Sequence, residues 1–183
     1  MFPSYVENPT NIVFEGQDKN EKILLLLRAH PITNLSWIIP AVLIFLIPFL
    51  LPGFLTKLGV EKLLNLPSVY LITFIVINYL LVLVISFEGF LNWYFNVYII
   101  TEKNIVDVDF HSILSKNIDL APLVNVEDTS SSMGGILNSI FNFGDVFVQT
   151  AGAAKNIDFI SVPNPHKVSD FILDKVHQAE GRY

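Results

Sequence analysis

Leu35 to Phe54 is twenty residues without an ionisable side chain, and Val69 to Phe87 is nineteen more without a charge. A helix rises about 1.5 Å per residue, so each run matches a hydrocarbon core of about 30 Å. The pattern predicts two transmembrane helices, about 35–54 and 69–87, forming a hairpin within residues 32–95. Pro40, Pro48 and Pro52 fall in the first run. They predict a kink near Pro48 and a break at Pro52-Gly53. Residues 55–68 are leucine-rich and are expected along the interface. Asn78 is the one strongly polar residue at the centre of the second run, and it predicts a hydrogen bond to the first helix. A ligand or ion site there is the weaker reading, because no acid or base accompanies the amide. Phe90, Trp93, Tyr94, Phe95 and Tyr98 follow as an aromatic cluster, placed at the membrane interface where amphipathic rings settle.

Either side of these runs the pattern is different. Residues 1–31 read as a leader, loose through Pro3, Pro9 and Gly16, with a strand within 21–30 that ends before Pro31. Residues 96–183 read as a domain of short β runs: Val97–Thr101, Asn104–Phe110, Ile113–Leu120, Val124–Ser130, Val146–Thr150 and Ile157–Val162. Ile136, Leu137, Ile140 and Phe141 stand at helical spacing after Gly134-Gly135, predicting a short helix or turn. Ala151–Asn156 reads as a loop. Pro163-Asn164-Pro165 stops the strands, and His166–Ala179 reads as an amphipathic helix with Val168, Phe171, Ile172, Leu173 and Val176 mostly on one face. Strands with short links and one closing helix predict a small antiparallel β domain capped by a C-terminal helix. Residues 96–183 are expected to fold without the hairpin.

Charge narrows the partners. The chain carries a net −6, and only 15% of its residues are charged. Residues 96–183 hold eleven acids against six Lys or Arg. That balance argues against the basic footprint of a nucleic-acid binder and against a polybasic grip on anionic lipid. The absence of cysteine excludes disulfides, thiolate metal sites and cysteine nucleophiles. The first thirty residues show no basic stretch followed by an apolar one, so the first long helix is expected to act as an uncleaved targeting element.

Four stretches in order carry a family resemblance: the leucine-rich run ending Arg28-Ala29-His30-Pro31; Tyr98-Ile99-Ile100-Thr101-Glu102-Lys103-Asn104-Ile105; Ile118 to Asp128; and Gly135-Ile136-Leu137 through Phe143-Gly144-Asp145 to Gly152. Together, across residues 21–178, the chain resembles the bacterial PH-like domain of small membrane proteins, often called YdbS-like. The resemblance implies an α+β membrane protein: a transmembrane hairpin plus a PH-like barrel of two antiparallel sheets, closed at one end by the C-terminal helix. It implies no catalytic activity. Asn104 departs from the family, which often has arginine there, so any binding role of that arginine does not carry over.

The remaining candidates for chemistry are sparse. His30, His111, His166 and His177 lack metal-motif spacing. Asp107 and Asp109 share a strand face, read as the solvated one, whereas Glu127 and Asp128 point apart. Ser130 to Gly135 lacks the lysine and the fold of a phosphate loop, and reads as a flexible turn. No catalytic, cofactor or metal residues are assigned, and no enzyme is expected. The expected function is a membrane-anchored interaction or scaffolding module that binds a protein or peptide, with self-association as one form of it. The alternative is a lipid or small-molecule sensor at the interface; a membrane enzyme or transporter is a third, weaker class. Lys19, Lys22, Arg28 and Lys103 on the terminal side outnumber Lys57 and Lys62 in the hairpin loop, which predicts both termini in the cytoplasm; the resemblance implies that the membrane is a bacterial plasma membrane.

Overall fold

The computed structural model describes residues 3–10, 12–60, 66–112, 115–151, 156–179 and 181. The expected strand start at Ile113, most of the loop at 152–155 and the interfacial run 61–65 lie outside the described residues. The chain forms two compact units, Met1–Thr33 with Asn92–Tyr183, and Asn34–Leu91.

The second unit is built on helices α1 (Leu35–Lys57) and α2 (Ser68–Phe95). The first does not break at Pro52-Gly53. Each proline forfeits a single backbone donor, while a break would free several more backbone groups, so continuing is the cheaper course. Thr56 Oγ1 also donates to the Pro52 carbonyl at 2.7 Å. The helix stops where Gly59 takes a φ of +70°, a conformation that favours glycine, and its N–H bonds the Thr56 carbonyl. Phe45 packs on Tyr79 at 5.4 Å. A Cβ on Gly89 would overlap the Trp37 ring, so the two helices approach closely there. Asn78 is buried, but its Oδ1 has no hydrogen-bond partner among the described residues. The expected bond to α1 is therefore not made.

Among the described residues the first unit holds eight antiparallel strands in two sheets. The five-stranded sheet runs in the order β1 (Tyr5–Glu7), β2 (Ile23–Leu27), β3 (Val97–Thr101), β4 (Asn104–Ser112), β5 (Ser115–Pro122). The three-stranded sheet is β6 (Val126–Ser132), β7 (Phe143–Thr150), β8 (Ile157–Pro163). A short helix α3 (Ile136–Phe141) links β6 to β7, and α4 (Pro165–Ala179) ends the chain. The antiparallel sheets and closing helix match the sequence pattern. Among the described residues a closed barrel is not found: the strands form two separate sheets. Pro122 has no N–H to extend a ladder, and the 3-10 turn Leu123–Asn125 re-aims the chain into the second sheet. Part of the leader is also ordered: Tyr5–Glu7 pairs with Leu25–Leu27.

The core lies between the sheets. Leu25, Leu27 and Ile100 from one sheet meet Val146, Val148 and Phe159 from the other, and Val168, Ile172 and Val176 of α4 pack onto the same cluster. Glu21 is buried at the β3–β4 turn. Its carboxylate accepts from Thr101 Oγ1 and, at 2.8 Å, from Asn104 Nδ2. The Asp18 N–H donates to its other oxygen at 3.2 Å. Asn104 is thus a structural partner of Glu21 in this chain.

Gly144, the second residue of β7, has no room for a side chain. A Cβ there would overlap the Ser132 carbonyl oxygen and crowd Met133. Gly144→Val is expected to cost about 1–3 kcal/mol through overpacking. Urea unfolding of the detergent-solubilised protein measures it; a cost under about 0.5 kcal/mol would mark an ordinary surface position.

Candidate ligand groove

The run Ile23-Leu24-Leu25-Leu26-Leu27 has no polar alternation, which is the signature of a strand covered on both faces. Leu25 and Leu27 face the core; Leu26 faces the other way with Ile99, Val106 and Val108. This outer face is therefore apolar rather than solvated. Phe14 covers part of it. The rest lies open as a groove of about 660 Å³, floored by Leu26, Val97, Ile99, Val108, Phe110 and Ile118 and walled by Ile12–Glu15. Asp107 and Asp109 take the opposite, inner face, where they are half-buried and their charges bear on the Tyr98 hydroxyl. The reading that placed them on the solvated side is corrected: Val106 and Val108 own the outer face of β4, and the two aspartates share the inner one with Ile105.

The groove's polar lining is Arg28, Glu15 and Lys116. Lys116 and Glu15 pair at 3.4 Å, exposed, so the pair adds little stability. Arg28 is more constrained. Its Nε donates to the Tyr94 carbonyl at 3.0 Å, its Nη1 reaches the Pro3 carbonyl at 3.4 Å, and the guanidinium stands 5.0 Å over the Tyr94 ring. Burial pulls its pKa below the usual value, opposed by Tyr94. The half-buried cation gives the apolar groove one place that favours a carboxylate or a carbonyl oxygen.

The five aromatics expected at an interface have different surroundings. Phe90 and Phe95 are exposed, and Trp93 and Tyr94 are half-buried. Trp93 Nε1 donates to the Ala29 carbonyl at 2.8 Å, and Phe95 packs on Phe110 at 5.3 Å. Tyr94 and Phe95 line the groove. Tyr98 stands apart: it is 8% exposed, stacks on Phe159 at 4.5 Å, and its hydroxyl accepts from the Ile160 N–H at 3.0 Å. Burial pushes the Tyr98 hydroxyl well up.

The other candidates are scattered. Ser130 to Ser132 lie within β6, paired with β7, so the expected flexible turn shrinks to residues 133–135. Glu127 and Asp128 are exposed. The His111 side chain lies outside the described residues, and His177 is exposed. Ser131 and His166, far apart in the chain, meet at 2.7 Å between Oγ and Nδ1. No carboxylate orients that imidazole among the described residues, so the pair lacks the third group of a nucleophilic relay. No group of three or more His, Asp or Glu that could hold a metal ion occurs among the described residues.

A family model for the bacterial PH domain matches residues 24–176. The chain belongs to the bacterial PH domain family. It matches no curated protein and no solved structure. The bacterial PH domain here comprises two antiparallel sheets and a C-terminal helix, as the sequence pattern predicts, and the matched span takes in β2 as well as the strands beyond the long helices.

His30 ends β2's run-out by stacking on Phe143, with ring centroids 5.2 Å apart. Burial lowers its pKa. The folded state therefore favours neutral imidazole, and the associated stability is complete above the unfolded value of about 6.5 and is lost as pH falls through the lowered folded value. Melting temperature should decline on acidification below about pH 6.5. His30→Phe keeps the stack and should remove that part of the decline; an unchanged pH profile in the variant would contradict the assignment.

Proposed function

We propose that this bacterial PH domain is a membrane-anchored interaction module without a catalytic step: α1 and α2 span a bacterial plasma membrane, and the groove receives a segment of a protein partner at its surface. The observation that carries the anchoring is the exposure of the two helices. In the most apolar eighteen-residue stretch of each span, 31–57 and 68–95, the mean hydropathy is 2.6 and 2.5, and only 6% of that stretch is buried. A core helix of a water-soluble protein buries such residues, and exposed apolar surface of this length supports a lipid solvent around it. The observation that carries the binding role is the open apolar face with Arg28 beside it. An apolar side chain on the groove floor and a carboxylate or carbonyl at Arg28 would satisfy both.

One observation favours a second reading, a lipid or small-molecule sensor: the groove's volume falls within the range of about 300–1,000 Å³ typical of small-ligand pockets. The acidic balance of residues 96–183 disfavours anionic headgroups as that ligand. Benzoylphenylalanine placed at Val13, on the exposed wall, distinguishes the two in intact membranes. The interaction reading expects a discrete protein adduct that Ile118→Glu abolishes. An adduct of lipid or small-molecule mass would transfer the function to the sensor, and no adduct sensitive to Ile118→Glu would remove the groove from either role.

Both termini are assigned to the cytoplasm, on the Lys and Arg bias of four against two. In this cysteine-free chain Glu102→Cys should resist an impermeant thiol reagent until permeabilisation, while Thr56→Cys labels in intact cells. The reverse pattern would put the PH-like unit on the outer face.

A further inference from the structure

Between Asp128 and Asp145 the chain has no ionisable side chain. In the middle of that stretch α3 carries Ile136, Leu137, Ile140 and Phe141, exposed by 80, 58, 68 and 46%. Helical spacing of apolar residues ordinarily marks a face turned to a core. Here the core is filled without them: Phe143, Val146 and Val148 of the following strand are buried, and α3 contributes no buried residue. Four large apolar side chains on one short exposed helix, with only Asn138 and Ser139 between them, form a patch of the kind that marks an interaction surface.

Its place within the unit identifies the partner. His30 is stacked on Phe143 and lies 6.4 Å from the ring of Phe141. The His30 N–H bonds the Ser161 carbonyl at 2.7 Å. Asn142 ends α3 with a φ of +51°, its carbonyl accepting from the Asn164 N–H at 2.9 Å. The end of α3 is thus fixed beside the residue that immediately precedes Pro31, where the first apolar span begins. Trp93, in the last turn of the second span, bonds the Ala29 carbonyl next door. The point where the chain leaves this unit, the point where it returns and the exposed α3 all gather at one end of it.

We propose that α3 is a third bilayer contact: Ile136, Leu137, Ile140 and Phe141 insert into the headgroup–acyl boundary of the membrane that holds α1 and α2. The proposal rests on the membrane reading of those helices. A patch without charge suits a zwitterionic bilayer, which offers apolar depth and needs no ion pair. Asn138 and Ser139 supply the polar groups that headgroups and interfacial water satisfy. The consequence is orientation: the α3 contact sets which end of the PH-like unit faces lipid.

Spin-label accessibility in the full chain, reconstituted into phosphatidylcholine nanodiscs, tests this. Single cysteines replace Leu137 in α3, Leu43 in α1 and Glu127 on the exposed side of β6. The expected result is that labels at Leu137 and Leu43 are relaxed more by oxygen than by a water-soluble nickel chelate, with the ratio reversed at Glu127. Ile140→Asp should shift Leu137 to the aqueous ratio without moving the melting temperature, because Ile140 is not part of the core. A Leu137 label with the aqueous ratio beside a lipid-like Leu43 overturns the α3 contact and leaves the membrane reading standing. A Leu137 label shielded from both reagents means that protein covers the patch and also overturns it. An aqueous Leu43 overturns both.

Discussion

The pairing of β2 with β3 is the constraint on which the rest of this molecule depends. It sets Leu27 opposite Tyr98 and Ile23 opposite Thr101, joining two segments that the long helices hold apart in sequence. Loop-closure entropy rises only with the logarithm of loop length, so an insertion of this size is tolerated if the strand is strongly driven to its place. The drive is burial. Leu25 and Leu27 reach zero exposure against Phe159 and Ile100, each worth about 1.5–3 kcal/mol relative to an exposed side chain. Leu26, on the other face, is buried against Ile99 and Val106. A strand covered on both sides is worth more than one covered on a single side, and that is why five consecutive apolar residues appear there.

The same pairing places Arg28 and Ala29 where Tyr94 and Trp93 can bond them, so the chain's departure and return are tied within one unit. It leaves an apolar outer face too large for Phe14 to cover, and the uncovered part is the groove. It also brings Glu21 under the β3–β4 turn, where the buried carboxylate holds Thr101 and Asn104. A hydrogen bond to a carboxylate of this kind contributes about 1.5–3 kcal/mol, and removing Asn104 or Thr101 leaves the buried carboxylate with one donor fewer. The exposed pair of Lys167 with Glu7, which joins α4 to β1 at 2.7 Å, does far less, since solvent screens it.

What the sequence made legible was whatever a local pattern encodes. The two long helices came from uncharged length, the strands after Asn96 from β-branched runs, and α4 from its helical spacing. What it hid depended on partners distant in the chain. Alternation in Val106-Asp107-Val108-Asp109 reveals that two faces differ, yet not which one is wet. The answer came from Tyr98 and the second sheet on one side and Phe14 on the other. Tyr98 sits in an aromatic run that reads as interfacial, but the strand period turns its ring inward while Val97 and Ile99 turn out. The break expected at Pro52-Gly53 failed because proline removes a single donor, whereas a helix end exposes a whole turn. The spacing of α3 was read correctly as helical, but spacing does not say whether a face meets protein, water or lipid.

Amide hydrogen exchange of the full chain in nanodiscs, read by mass spectrometry, tests the dependence on β2 most directly. If β2 is integral, the amides of Leu25 to Leu27 and Tyr98 to Ile100 share the protection of the global unfolding reaction and are lost together when Leu25→Ala weakens the core. Rapid exchange at Leu25 to Leu27, with β3 to β8 still protected, would show that the domain stands without β2 and would contradict the account.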